Sequence, residues 1–217
     1  MSTEDVQRTV SVTGVGRVEA AADLLFLNLA VETQAVTATA ALAENNRLAA
    51  AVLSALKAHG IEEQDIQTTQ LSIDPITAQQ DQNDTQPPRI VGYRVRNGLR
   101  ARLRDVPGAG AIIDAAVQAG GDATRIGGIS FSFADPSGLL VAARKGAIGD
   151  ARARAQQLAD GLGVGLGNVI SISESDTSGG PTVPEFSRAE FAAPIPILPG
   201  ESEVTLQITV SYEIFTK

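Results

Sequence analysis

Nearly all strand-like segments of this chain carry apolar side chains on one face only. In the last of them, apolar residues from Val204 to Ile214 alternate with polar residues from Glu203 to Glu213. Such alternation is typical of a strand with one buried face, whereas strands of a doubly wound parallel sheet are apolar on both faces. The sequence therefore predicts a sheet that helices cover on one side and leave open on the other.

Three segments change from the period of a strand to that of a helix. They run over about 36–59, 107–120 and 136–162, and each is followed or ended by glycine. With the strands placed between them, the predicted order is β-β-α-β-β-α-β-α-β-β. This order indicates a two-layer α+β fold with a largely antiparallel sheet and its helices packed on one face.

The predicted domain organisation is simple. Residues 1–8 are expected to be a flexible N-terminus, and 9–217 a single domain with loop insertions at 78–89 and 175–200. Within the domain, Gly14 and Gly16 follow the first alternating run and predict a turn at that point.

Composition excludes several classes of function. There are 17 Lys and Arg against 25 Asp and Glu, which gives a formal net charge of −8, so nucleic acid is not the expected partner. No cysteine and one histidine leave no basis for a thiolate nucleophile or a multi-histidine metal site. Since no stretch approaches about 18 uninterrupted apolar residues, the sequence predicts no transmembrane segment.

The motifs that usually accompany catalysis are also missing from the pattern. The glycines of 161–167 come after a helix and before a strand, the reverse of a dinucleotide-binding loop. His59 lies at the predicted end of the first helix, where capping or surface exposure is the simpler role. We therefore predict no catalytic, cofactor-binding or metal-binding residues, and hence a protein that is not an enzyme.

The most informative feature is a row of arginines on one strand. Its members are Arg94, Arg96, Arg100, Arg102 and Arg104. One interpretation is a solvated face paired with cross-strand carboxylates such as Glu203, Glu213 or Glu32. The alternatives are an anion-attracting groove, or a subunit interface in which arginines meet carboxylates of another copy.

A second feature is the apolar content of the long segment 175–200. It holds Phe186 and Phe191 beside Pro194 and Pro196. Apolar side chains in a long loop need to be covered, either by the same domain or by a neighbouring subunit. We interpret these four residues as a candidate oligomer loop.

Six stretches of the chain, taken together, resemble one known family. They are VSVTGVGRVEAAADLLFLNLAVET (10–33), DIQTTQLSI (65–73), GYRVRNGLRARLRD (92–105), IGGISFSFADP (126–136), DARARAQQLADGLG (150–163) and APIPILPGE (193–201). In this order they resemble the SIMPL-domain family, which includes bacterial periplasmic immunogenic proteins.

The resemblance implies an α+β domain that forms symmetrical homo-oligomers in the cell envelope and is associated with stress tolerance. It supplies no active-site residues. We accordingly predict a non-enzymatic, self-assembling envelope protein. The alternative is a module that binds a small molecule or peptide, its ligand unknown, on the arginine-lined open sheet face; a hydrolase using Asp or Glu with Arg is a third hypothesis.

Two predictions of location follow. The resemblance implies the periplasm or cell envelope. Against it, Glu4 and Asp5 stand where a signal peptide would have a basic and then an apolar run, so the sequence predicts no signal peptide and leaves the cytoplasm as the alternative.

Overall fold

The protein contains seven strands and three helices in the part of the chain that the structure, a computed structural model, describes: residues 8–78, 89–176 and 197–216. In chain order they are β1 (Thr9–Ala21), β2 (Leu24–Ala35), α1 (Ala38–Ala58), β3 (Ile66–Thr77), β4 (Ile90–Leu103), α2 (Ala109–Gly120), β5 (Thr124–Ser132), α3 (Ser137–Gly161), β6 (Val164–Asp176) and β7 (Glu201–Thr216). The predicted α+β class and element order are confirmed.

The strands form two antiparallel sheets, where the sequence predicts one. A three-stranded unit contains β1, β7 and β6 with α3, and a four-stranded unit contains β3, β4, β2 and β5 with α1 and α2. Alternation along a strand specifies which face is buried but not which strand lies beside it. The assignment of 9–217 to a single domain stays a prediction.

In the three-stranded unit, α3 lies directly against the backbone of β1. Five alanines of α3 at every fourth position are buried: Ala143, Ala147, Ala151, Ala155 and Ala159. Opposite them lie Gly14 and Gly16, both inside a continuous strand and not in the predicted turn. Small residues on both sides allow the helix and the strand to approach closely.

The free edge of β1 is closed by a side chain from the same helix. The carboxylate of Asp150 accepts a hydrogen bond from the backbone N–H of Val15 at 2.9 Å, and a second from Nε of Arg154 at 3.0 Å. Both bonds favour the ionised form and lower the pKa of Asp150, the bond from Val15 more strongly. An exposed strand edge is thereby occupied within the chain.

We expect Asp150→Asn to lower the melting temperature by a few degrees at pH 6 and to have no effect in strong acid. Because the pKa of Asp150 is lowered in the folded state, the stability it provides is present above its ordinary pKa and is lost as pH falls through the lowered value. Melting curves of both proteins from pH 7 down to about 2 test this. A difference that stays constant over this range would contradict it.

The four-stranded unit buries the odd-numbered positions of its central strands against α1 and α2. Leu25, Leu27 and Val31 of β2, and Ala101 and Leu103 of β4, are fully buried. A slip of one residue in either strand would expose this set, and burial of each leucine stabilises the fold by about 1.5–3 kcal/mol. The register therefore sends the even-numbered positions to the opposite, open face.

Polar contacts attach the first half of α1 to this sheet. The helix begins after Thr37, whose Oγ1 accepts the N–H of Ala40 at 3.2 Å. About two turns after Thr37, the fully buried Asn45 donates from Nδ2 to the backbone carbonyls of Val31, at 2.8 Å, and Val95, at 3.3 Å. This side chain joins the helix to both central strands.

Candidate functional site

The five arginines predicted to form a row, four on β4 and Arg104 directly after it, lie on the open face of the four-stranded sheet. Strand geometry sends positions 94, 96, 98, 100, 102 and 104 to one side, and the intervening Val95 and Leu99 enter the core. The arginine side chains that form ion pairs on this face are about half exposed to solvent. The row therefore lines an accessible surface.

A sixth arginine joins the row from another strand. Arg125 of β5 is the register partner of Ala30 on β2, and its guanidinium lies 3.9 Å from Glu32 of the same strand. Nothing in the local sequence indicates this position, because it depends on the pairing of β5 with β2. We call the six residues the arginine face; they are Arg94, Arg96, Arg100, Arg102, Arg104 and Arg125.

Two carboxylates pair with the arginine face in the described part of the chain. Glu32, whose side chain is 16% exposed, is shared by Arg94 and Arg96, each at 3.8 Å, and by Arg125. Of the partners suggested by the sequence, Glu32 is thus present, whereas Glu203 and Glu213 lie on β7 of the other sheet.

Asp65 pairs with the other end of the row. It lies in the short turn before β3, and its carboxylate accepts two hydrogen bonds from Arg104, at 3.0 and 3.3 Å, with Arg102 at 3.8 Å. Its side chain is only 7% exposed, and it lies beneath these two arginines. Six guanidinium groups therefore face these two paired carboxylates, and Asp74 lies opposite Arg94 on the same face. Positive charges still outnumber negative ones on this surface, in an acidic protein.

Phe26 of β2 supports the centre of the row. The Cζ atom of Arg100 lies 4.2 Å from its ring centroid, and that of Arg102 lies 5.6 Å away. Both distances fall within the range of a cation–π contact. Among the described residues Arg100 has no carboxylate within 4 Å, so its hydrogen-bond donors remain available to a ligand.

Two shallow depressions interrupt the arginine face. One, of about 110 Å³, surrounds Gly98, and the other, of about 70 Å³, lies beside Phe26, Asp65 and Arg100. Pockets that enclose whole small molecules usually measure about 300–1,000 Å³. These depressions suit a single charged group of a ligand that otherwise lies on the surface.

The described residues present no clustered set of metal ligands. No three His, Cys, Asp or Glu side chains among them are grouped so as to hold a metal ion. Hydrogen bonds from Arg47, Lys57 and Arg144 lower the pKa of Glu44, Glu63 and Glu174, respectively, and these pairs are exposed and far apart along the chain. Shifts of this kind are those of surface ion pairs.

The remaining sequence candidates divide into two groups. His59 ends α1 as its C-cap residue and is exposed. The four candidate residues of the oligomer loop, Phe186, Phe191, Pro194 and Pro196, lie outside the described residues, as does most of the insertion at 78–89.

Among the described helices, none has the length and apolar character needed to cross a bilayer.

Comparison with known proteins extends these observations. The family model SIMPL, described as a protein of unknown function (DUF541), matches residues 10–212. The 26 kDa periplasmic immunogenic protein of Brucella melitensis biotype 1 is 38% identical over 214 residues, which cover 94% of this chain and 84% of that protein; the Brucella abortus (strain S19) protein of the same name matches to the same extent. The uncharacterized protein YggE of Escherichia coli (strain K12) is 29% identical over 163 residues, covering 75% of this chain and 64% of YggE.

Proposed function

Because this chain belongs to the SIMPL family, whose function is unknown, we propose a role from the surfaces that it exposes: it is a non-enzymatic, self-assembling protein of the bacterial cell envelope. The observation that carries this proposal is one edge strand in each sheet that contains an uncharged, exposed stretch. The envelope location rests on the printed names of the Brucella relatives. The stress-related role rests on the family resemblance alone.

The first of these edges is β3. It contains no charged residue from Ile66 to Ile73, and its Leu71 and Ile73 side chains are 61% and 45% exposed. After a bulge at Thr69, the pairing of β3 with β4 is regular from Gln70 to Ile76, and it shifts register again before Thr77. This regular, uncharged stretch of its outer edge is therefore a template for another strand.

The second uncharged edge is β6. No charge occurs from Val164 to Ser173, and three β-branched residues are exposed: Val169, Ile170 and Ile172, at 48%, 41% and 67%. Its pairing with β7 is irregular near Val169 and regular from Ser171 onward. Exposed β-branched residues on a strand edge favour pairing with another strand.

The opposite edges of the two sheets are protected. On β1 the carboxylate of Asp150 occupies the N–H of Val15. On β5 the pairing shifts register at Asn28, where Gly127 and Gly128 lie, and Arg125 adds a charge. Bulges, charges and capped N–H groups are the usual means by which proteins prevent edge pairing. On β3 and β6 such features border the uncharged stretches, as the bulges near Thr69 and Val169 and the charges of Asp74 and Glu174, so residues 70–73 and 171–173 are the stretches left for pairing.

A second copy of this chain is the partner that best fits such an edge. Two identical strands can pair antiparallel about a twofold axis, and the same residues then meet their own copies. A charged edge would oppose this by like-charge repulsion. In a chain with a net charge of −8, the uncharged edges are the surfaces where self-association meets the least repulsion.

Mass in solution tests the proposal. We expect light scattering behind size-exclusion chromatography to give at least twice the 22.4 kDa chain mass for the native protein. Leu71→Lys with Ile73→Lys, or Ile170→Lys with Ile172→Lys, should reduce that mass at micromolar concentration, because lysine is a typical protector of strand edges. A native protein that is monomeric at that concentration would overturn the proposal.

A matched substitution and a salt series sharpen the experiment. Val141 on α3 is 61% exposed, as Leu71 is, but lies on no strand edge, so Val141→Lys should leave the mass unchanged. Uncharged edge contacts are not screened, and the assembly should therefore persist from about 0.1 to 1 M NaCl. An assembly that dissolves in salt would instead favour the arginine face as the interface.

A second candidate function is the binding of an anionic small molecule or peptide on the arginine face. The observation that favours it is the excess of six guanidinium groups over two paired carboxylates, with Arg100 held on the Phe26 ring and lacking a carboxylate partner among the described residues. Binding and assembly use different surfaces in this proposal. They can therefore be separated by substitution.

A further inference from the structure

We propose that the depression around Gly98 is a subsite for a phosphate group; this inference deepens the second candidate function and rests on it. The floor of the depression is made of small residues from three adjacent strands: Ala30, Gly98 and Gly127. A Cβ atom at Gly98 would lie 2.9 Å from Oγ1 of Thr69 and 3.3 Å from Cβ of Gln70. Because Gly98 has no side chain, the space between the larger neighbouring side chains stays open.

Two guanidinium groups at the edge of the depression have N–H donors that Glu32 does not use. Arg96 and Arg125 both line the depression, and their closest oxygens of Glu32 lie at 3.8 and 3.9 Å. These separations exceed the range of about 2.7–3.2 Å for an N–H···O hydrogen bond. The carboxylate therefore attracts both cations without consuming their N–H groups.

Two backbone carbonyl groups hold the guanidinium of Arg125 in place. Its Nη1 donates to the backbone carbonyls of Asp122, at 2.6 Å, and Thr124, at 3.0 Å. A guanidinium has five N–H donors, so those not used by these carbonyls remain for a ligand. A cation held in place in this way loses little conformational entropy when an anion binds.

The surrounding donors favour a tetrahedral oxyanion over a carboxylate. Arg96 comes from β4, Arg125 from β5, and Asn28, Thr69 and Gln70 add amide and hydroxyl groups from β2 and β3. A planar carboxylate is satisfied by the fork of one guanidinium, whereas phosphate presents oxygens in several directions. The depression has a volume of about 110 Å³ and is lined by donors from four strands, which suits one phosphate group.

The second depression lies along the same strand and can hold a second charged group of the ligand. Arg100 lies two residues beyond Gly98 on the same face of β4, which is about 7 Å along an extended strand. It lines the depression beside Phe26, together with Arg102. A molecule with two or more linked phosphates can therefore place one at Gly98 and another near Arg100, and it should bind more tightly than a single phosphate.

Calorimetric titration of the full chain tests the subsite, with sodium tripolyphosphate and inorganic phosphate as probes at low salt. Co-sedimentation with vesicles containing phosphatidylglycerol, run in parallel, distinguishes a lipid phosphate from a free one. We expect saturable binding of at least one probe, and tripolyphosphate to bind at least tenfold more tightly than inorganic phosphate. The affinity should fall with increasing NaCl, because the contact is ionic.

Substitutions then locate the site. Arg96→Gln with Arg125→Gln should weaken tripolyphosphate or vesicle binding at least tenfold. Arg47→Gln with Arg152→Gln removes the same charge from exposed positions on α1 and α3, and should change affinity less than twofold. Glu32→Gln should strengthen binding severalfold, because it removes the anion that competes for Arg96 and Arg125; a residue with a merely structural role would not produce a gain.

The outcomes separate the subsite from the proposed function on which it rests. If Arg100→Glu with Arg102→Glu abolishes binding while Arg96→Gln with Arg125→Gln does not, the arginine face binds anions but the Gly98 subsite is wrong. If no probe binds saturably, or if the control pair weakens binding equally, both are wrong. Light scattering on the same samples verifies that assembly is unchanged, so that loss of binding is not loss of the oligomer.

Discussion

Gly16→Ala is expected to destabilise the three-stranded unit by about 3 kcal/mol or more. A Cβ atom at this position would overlap the carbonyl oxygen of Ala143 and come within 2.6 Å of the amide nitrogen of Ala147. Both are backbone atoms of α3, so no change of side-chain rotamer relieves the overlap. The helix would have to move away from β1, and the buried alanines between them would lose their contacts.

The same substitution at another glycine supplies the control. Gly149 is on α3 itself, and a Cβ atom there would meet nothing within 4 Å. Alanine has the higher helix propensity, so Gly149→Ala should stabilise the protein by up to about 1 kcal/mol. Urea denaturation followed by circular dichroism measures both changes. If Gly16→Ala and Gly149→Ala had effects of the same sign, the close approach of α3 to β1 would be wrong.

Asn45→Asp is expected to destabilise the four-stranded unit by about 3–5 kcal/mol at neutral pH. The Asn45 side chain is fully buried, and its Nδ2 donates to the carbonyls of Val31 and Val95. The substitution replaces that donor with an oxygen that faces two carbonyl oxygens, and it places a charge where no cation is paired with it. The Oδ1 atom already lacks a hydrogen-bond partner within the described residues.

Acid should relieve part of this loss. In the unfolded chain the new carboxyl group ionises near its ordinary pKa, whereas burial opposes its ionisation in the folded state, so the deficit grows as pH rises above about 4. The neighbouring Asn46 is exposed, and Asn46→Asp should change stability by no more than about 0.5 kcal/mol. Equal effects of the two substitutions at pH 7 would mean that Asn45 is not the buried link between α1 and the sheet.

Local patterns predicted the elements well because each pattern reflects burial of one face. The alternation of β7 and the helical spacing of α1 both describe side chains that point toward a core, whatever supplies it. The pairing of strands does not follow from these local patterns. β1 pairs with β7, so that Val12 lies opposite Val210, and no property of either strand alone specifies a partner so distant along the chain. The prediction of one sheet in place of two has this origin.

The arginine face was predicted in part for the same reason. Alternation predicts the five arginines from Arg94 to Arg104 on one face, and the structure agrees for the four that lie on β4. Arg125, Phe26 and Asp65 were missed, because each reaches the face from a different element and becomes its neighbour only through the register of β5, β2 and the turn before β3. The roles of the arginine face and of the loop at 175–200 stay predictions.

The sequence by itself determined the order of elements, the buried side of each strand and the row of arginines, because these depend on periods of two and about 3.6 residues. Only the tertiary structure decided which strands became neighbours, which strands lie at the edges of the described sheets, and why Gly14 and Gly16 stand within β1. Two glycines after a short strand are typical of a turn, yet here they provide room for the alanine face of α3. The physical reason is that close packing is a property of two surfaces together, and neither surface encodes it alone.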